Sequence, residues 1–157
     1  MSARELDVLS VPLHGVQLVE ASAGTGKTWT LCALLLRLLL ERGLPLREVL
    51  VVSFTTAATA ELRERVRRRL AETAQALDQG APHADPFLRG LLERLQGEDP
   101  VRLRARLQDA LQGFDEAAIH TIHGFAQRSL AELGFAAGAP VQLEAIQDES
   151  ALRLELA

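Results

Sequence analysis

The segment Ala21-Ser22-Ala23-Gly24-Thr25-Gly26-Lys27-Thr28 constrains the fold more than any other part of the chain. It stands between a short apolar run, Val16-Gln17-Leu18-Val19-Glu20-Ala21, and a long one from Trp29 to Leu40. Pro12 and Gly15 precede the first run, whose shortness and partly β-branched composition predict a strand. The second run stops at Gly43 with Pro45 beyond, which predicts a helix from Thr28 to Arg42. Arg37 interrupts it, and its apolar stretch falls short of the ~20 residues that a bilayer core requires, so it reads as a helix buried against a sheet. A glycine-bearing turn between strand and helix presents successive backbone N–H groups and the positive end of a helix dipole to a dense anion. Gly24 and Gly26 let the backbone curl closely, Lys27 reaches the outer phosphates, and Thr28 can place its hydroxyl on Mg²⁺. Ala21, Ser22, Ala23, Gly24, Thr25, Gly26, Lys27 and Thr28 are therefore expected to hold ATP with Mg²⁺. The generic pattern opens on glycine where this chain has Ala21, while its Gly-x-Gly-Lys-Thr end is intact.

Charge points to local recognition. Across 157 residues, 17 basic side chains against 21 acidic ones give a net charge of −4, which argues against a bulk electrostatic grip on nucleic acid. All the basic residues are Arg except Lys27, so the one compact ammonium of the chain stands in the one slot where a phosphate loop needs it. With 48% apolar residues but only 4% aromatic ones, the chain can bury one mainly aliphatic core, and disorder is excluded as its main description. Cys32 is alone and cannot form an internal disulfide, and Met1 to Asp7 lack the apolar stretch of a signal peptide; both predict a cytoplasmic setting.

Val49 to Phe54 predicts a second strand, apolar enough to be buried on both faces, and completes a strand-helix-strand unit. Ala57 to Gly80 places Leu62, Val66, Leu70 and Leu77 on one helical face, opposite Arg63, Glu64, Arg67 and Arg68. Pro86 to Gln96 and Pro100 to Gln112 predict two more amphipathic helices. Ala117 to Ile122 predicts a third strand, followed by a helix over 124–133, a loop from Gly134, a weakly alternating stretch from Val141 to Ile146, and a last helix from about Asp148. The expected fold class is α/β, a P-loop NTPase with a parallel sheet flanked by helices.

Three blocks extend the inference: the phosphate loop, Val52-Ser53-Phe54-Thr55-Thr56-Ala57-Ala58-Thr59-Ala60-Glu61-Leu62, and Thr121-Ile122-His123-Gly124-Phe125. Together they resemble the superfamily 1 helicases of the UvrD type. With Phe114-Asp115-Glu116-Ala117-Ala118-Ile119, they look most like the exodeoxyribonuclease V β-subunit branch of that group, from about Pro12 to Glu149. The resemblance implies a partial RecA-like motor domain over 1–80, a helical segment over 81–113, a strand and helix over 114–135, and the start of an inserted helical subdomain over 136–157. It implies ATP-driven DNA unwinding in double-strand-break repair by recombination, with DNA and the other subunits of such a complex as partners. It also implies that Phe54, Thr55, Thr121 and His123 touch single-stranded DNA. Threonine hydroxyls can bond phosphate oxygens without reading sequence, and Phe54 and His123 can offer ring faces to bases.

Each of these residues has a plainer alternative. Phe54 is as readily a core side chain, and Thr55, Thr56 and Thr121 are natural helix caps. His120 and His123 lack the companion ligands of a zinc site. The arginines from 63 to 69 form i, i+4 pairs, Glu61 with Arg65 and Glu64 with Arg68, which favours an ion-paired solvated face. Asp115-Glu116 mimics the helicase Asp-Glu box, but what precedes it is helical with a glycine break, so it is not assigned as that box. Trp29, beside the loop, either flanks the nucleotide or plugs its helix against the sheet, and the second is expected. The resembling group's adenine-reading Gln would precede the first strand, where this chain has His14 and Gln17. A P-loop kinase, or a non-catalytic DNA- or partner-binding module, remains as an alternative function.

Overall fold

The computed structural model describes residues 6–22, 24–79 and 85–136. Its elements in chain order are α1 (Lys27–Leu40), β1 (Val51–Ser53), α2 (Thr56–Gln79), α3 (Pro86–Arg94), α4 (Pro100–Gln112), β2 (Ile119–Thr121) and α5 (Ile122–Ala136). Short 3₁₀ turns, Leu46–Glu48 and Phe114–Glu116, lead toward the two strands.

Local chemistry sets most boundaries. Gly43, at φ 67°, ends α1 in the left-handed region, and the Leu44 N–H returns to the Leu38 carbonyl. Arg106 of α4 donates to the Leu40 carbonyl at 2.6 Å, satisfying another terminal acceptor. Asp85 caps α3 by accepting from the Phe87 and Leu88 N–H groups, Asp99 caps α4 through the Val101 N–H, and a proline follows each cap.

The core is aliphatic and helical. Leu35, Leu36, Leu39 and Leu40 of α1 meet Leu62, Val66 and Leu70 of α2, Leu88 and Leu91 of α3, and Leu103 and Leu107 of α4. The α2 face expected from its spacing is the buried one, with Leu77 half-buried at its end. Arg37 is also buried, and its Nη1 donates to the Val8 and Val11 carbonyls at 2.7 Å each. Its Nε and Nη2 meet the Glu41 carboxylate, so the charge is compensated and the chain ahead of the phosphate loop is strapped to α1.

The sheet has two strands among the described residues, β1 and β2, paired in parallel as Val51–Ile119, Val52–His120 and Ser53–Thr121. The strand expected over 16–21 does not form: residues 16–20 are irregular, with Val16 98% and Leu18 85% exposed. A strand is completed by neighbours that satisfy its N–H and C=O groups, and no described strand pairs with this segment. The same shortage corrects the expectation for Val49–Phe54, since only Val51–Ser53 is extended in a ladder and Val52 remains 42% exposed. Trp29 does not plug α1 against the sheet. It stands edge-on to Phe87 of α3, ring centroids 5.5 Å apart, and stays 43% exposed.

Helix α5 begins two residues before the expected Gly124 and runs past Leu133 to Ala136. The expectations for Val141–Ile146 and for a helix from Asp148 lie outside the described residues.

Candidate nucleotide and DNA site

The candidate phosphate loop enters α1 through Gly26, at φ 87°, with Gly24 at φ 80°. A Cβ at either position would meet nothing within 4 Å, so backbone conformation rather than crowding calls for glycine. Thr25 ties the turn by donating from its hydroxyl to the Ser22 carbonyl at 2.7 Å. No side chain caps α1 at Gly26, so no side-chain oxygen competes for the N–H groups at this end. Lys27 is the first helical residue, and its Nζ donates to the Ser22 carbonyl at 2.6 Å and the Ala21 carbonyl at 3.2 Å. Thr28 is half-buried beside it, and Ala23 lies outside the described residues. Upstream, the Gln17 side-chain amide donates to the His14 carbonyl, and both residues are exposed.

The second part of the site stands where the parallel strands end. Ser53 is the register partner of Thr121; Phe54 and Thr55 join β1 to α2, and β2 ends on Thr121 and runs directly into α5. Thr55 Oγ1 accepts from the Ala58 N–H at 3.1 Å, and Thr121 Oγ1 accepts from the Gly124 N–H at 3.0 Å. Both hydroxyls therefore act as caps. Capping uses one acceptor lone pair and leaves the O–H proton available to a phosphate oxygen, so the two roles are compatible. Phe54 is 85% exposed and is not a core residue, and His123 is exposed on α5 while His120 lies on β2. Asp115 and Glu116 sit in the 3₁₀ turn before β2, exposed, with Asp115 3.8 Å from Arg67.

Some of this organisation had no sequence signal. Ser53 Oγ and Thr59 Oγ1 are 2.6 Å apart, which joins the end of β1 to the first turn of α2. Arg63 is not simply solvated: it donates to the Ala117 carbonyl at 3.2 Å and its guanidinium lies 5.4 Å from the Phe114 ring centroid. It thereby ties α2 to the approach to β2, across a sequence separation that no local pattern reports.

The sequence over residues 2–156 matches the UvrD/REP helicase N-terminal domain. The chain belongs to that family. Individual relatives agree. The RecBCD enzyme subunit RecB of Escherichia coli K12 is 44% identical over 161 residues, covering 98% of this chain and 13% of that protein. The protein of the same name from Haemophilus influenzae Rd is 40% identical over 166 residues, covering 97% of this chain and 14% of its own length. That from Mycobacterium tuberculosis H37Rv is 44% identical over 129 residues, or 80% of this chain and 12% of the relative. The chain thus spans a small fraction of these relatives' length. The UvrD/REP assignment accounts for a partial RecA-like α/β fold and, in general terms, for nucleotide and metal use. Among the described residues, no helix is long and apolar enough to cross a membrane.

Proposed function

We propose that the chain is the ATP-binding amino-terminal part of a RecB-type, ATP-dependent DNA helicase. The observation that carries this is the start of α1, where Lys27 follows the left-handed Gly26 and no side-chain cap competes for the N–H groups. These groups suit a polyphosphate: backbone donors and the helix dipole hold the inner oxygens, and the Lys27 ammonium turns from the Ser22 and Ala21 carbonyls to the outer ones. Ser22, Ala23, Gly24 and Thr25 would supply the rest of the cradle, and the Thr28 hydroxyl would hold Mg²⁺, which would supply neutralising charge to the phosphates.

The DNA track consists of Thr55 and Thr121, with the Phe54 and His123 rings beside them. Hydroxyl donors at the carboxyl ends of adjacent parallel strands hold a backbone without reading bases, as a translocating motor requires. In the complete protein, with DNA and the other subunits of a RecBCD-like complex as partners, this part supports unwinding during recombinational repair of double-strand breaks. A cytoplasmic location accords with that role.

Calorimetry with Mg-ATP tests the proposal. Lys27→Ala should abolish binding, and unchanged affinity in that variant would overturn the assignment. For the track, Thr55→Val with Thr121→Val in the complete protein should lower DNA affinity and DNA-stimulated ATPase while ATP binding is nearly kept. Normal stimulation by single-stranded DNA in that double variant would remove these residues from the track.

A further inference from the structure

A separate pocket of about 180 Å³ lies between α1 and α2, lined by Trp29, Cys32, Arg65, Arg68, Arg69 and Glu72. Trp29 and Cys32 come from the beginning of α1, and the other four residues share one stretch of α2. Their charges are satisfied unequally. Arg65 pairs with Glu61 on the exposed face of α2. Arg69 is held by Glu72 at 3.2 Å and by Asp85, and its guanidinium lies 5.6 Å from the Phe87 ring centroid. Arg68 is different: the expected bond with Glu64 is not made, and no ion pair involves Arg68 among the described residues.

Burial pushes the Cys32 thiol pKa up, while Arg69, Arg65 and Arg68 all act on it in the opposite direction, favouring an anion. The only carboxylate in the lining, Glu72, is already engaged by Arg69. An uncommitted guanidinium in a concave site presents a planar fork of donors that matches a phosphate or carboxylate group. The volume is well below the roughly 300–1,000 Å³ of sites that enclose drug-sized ligands, so it suits one anionic group rather than a whole nucleotide.

We propose that this notch is a second phosphate site, distinct from the Lys27 loop, that takes a single phosphoryl group. Arg68 is its principal donor, Arg65 its second, and the half-exposed Trp29 ring its wall. The phosphoryl group belongs either to a free phosphate or to a nucleic-acid backbone. This goes beyond the ATP assignment, because neither Arg68 nor Arg65 belongs to the phosphate loop.

Trp29 provides the readout, since the chain has one Trp and no Tyr. Its fluorescence is titrated with inorganic phosphate and, separately, with an abasic single-stranded oligonucleotide. A saturable response to at least one source is expected, weakened about tenfold or more by Arg68→Gln and retained in Lys27→Ala. Tighter saturation by the oligonucleotide assigns the backbone as the source, and saturation by inorganic phosphate alone assigns the free ion. No response to either source overturns the proposal. So does a response unaltered by Arg68→Gln, a response lost in Lys27→Ala, or saturation by an acidic peptide where both phosphate sources fail. Arg68→Lys keeps the charge but not the fork and should fall between wild type and Arg68→Gln. Thermal unfolding of each variant verifies its fold, and Mg-ATP calorimetry on Lys27→Ala reports separately on the phosphate loop.

Discussion

Ser53 stands opposite Thr121 in the parallel register of β1 and β2. Because parallel strands end on the same side, this pairing brings the Phe54-Thr55 and Thr121-Ile122-His123 segments to one edge of the sheet, although more than sixty residues separate them in the chain. Thr55 and Thr121 then do the same work: each hydroxyl accepts a backbone N–H in the first turn of the following helix. Each Thr→Val change should cost about 1 kcal/mol of stability, while Thr→Ser, which keeps the oxygen, should cost much less. Urea unfolding checks this, and a double valine variant as stable as wild type would show that the hydroxyls contribute nothing as caps.

Arg37 carries a different kind of load. It is buried, and its guanidinium satisfies two carbonyls of the chain ahead of the phosphate loop as well as Glu41. Arg37→Met should destabilise the fold by about 2–3 kcal/mol, because the Val8 carbonyl is buried and would lose this donor. Arg94, 3.5 Å from Glu41, softens the loss by keeping a partner for that carboxylate. The urea midpoint should fall, and residues 6–13 should become sensitive to limited proteolysis at denaturant concentrations that leave the rest folded.

Asp85 couples stability to pH. Burial opposes its charge, but the Arg69 guanidinium and the Leu88 and Phe87 N–H groups outweigh burial and hold its pKa below the ordinary value of 3.8. A carboxylate whose folded pKa is depressed contributes stability that is fully present above the unfolded value and is lost as pH falls through the folded one. Asp85→Asn should therefore lower stability at neutral pH and flatten its dependence on pH below 3.8. Thermal melts across that range check the slope, and an unchanged acid limb in the variant would contradict the assignment.

The chain by itself should turn over ATP negligibly, with or without DNA. Phosphoryl transfer needs a carboxylate to help hold the metal and position water, and commonly an arginine aimed at the transferring group. Asp115 and Glu116 precede β2 in an exposed turn instead of following a strand, and Asp115 faces Arg67. Steady-state phosphate release from residues 1–157 should stay at background. DNA-stimulated release that disappears in Lys27→Ala would show that this chain already carries a complete catalytic set.

The glycine turn at 24 and 26, the α2 face and the starts of α3 and α4 were legible in the sequence because their causes are local. Positive φ selects glycine at 24 and 26, apolar residues recur at the helical period from Leu62 to Leu70, and Asp85-Pro86 and Asp99-Pro100 each join a cap to a first helical residue. Strands depend on partners, and there local pattern failed. Val16–Ala21 has the composition of a strand, yet residues 16–20 are irregular and no described strand pairs with them, while Val51–Ser53 is a strand because Ile119–Thr121 lies beside it. Tertiary structure likewise decided that Phe54 is exposed, that Arg63 binds the Ala117 carbonyl, and that Arg68 lines a pocket without an ion pair among the described residues while its neighbour Arg69 is paired with Glu72 and Asp85. A side chain's charge is written in the sequence, but whether that charge is paired depends on which groups the fold brings within a few ångströms of it.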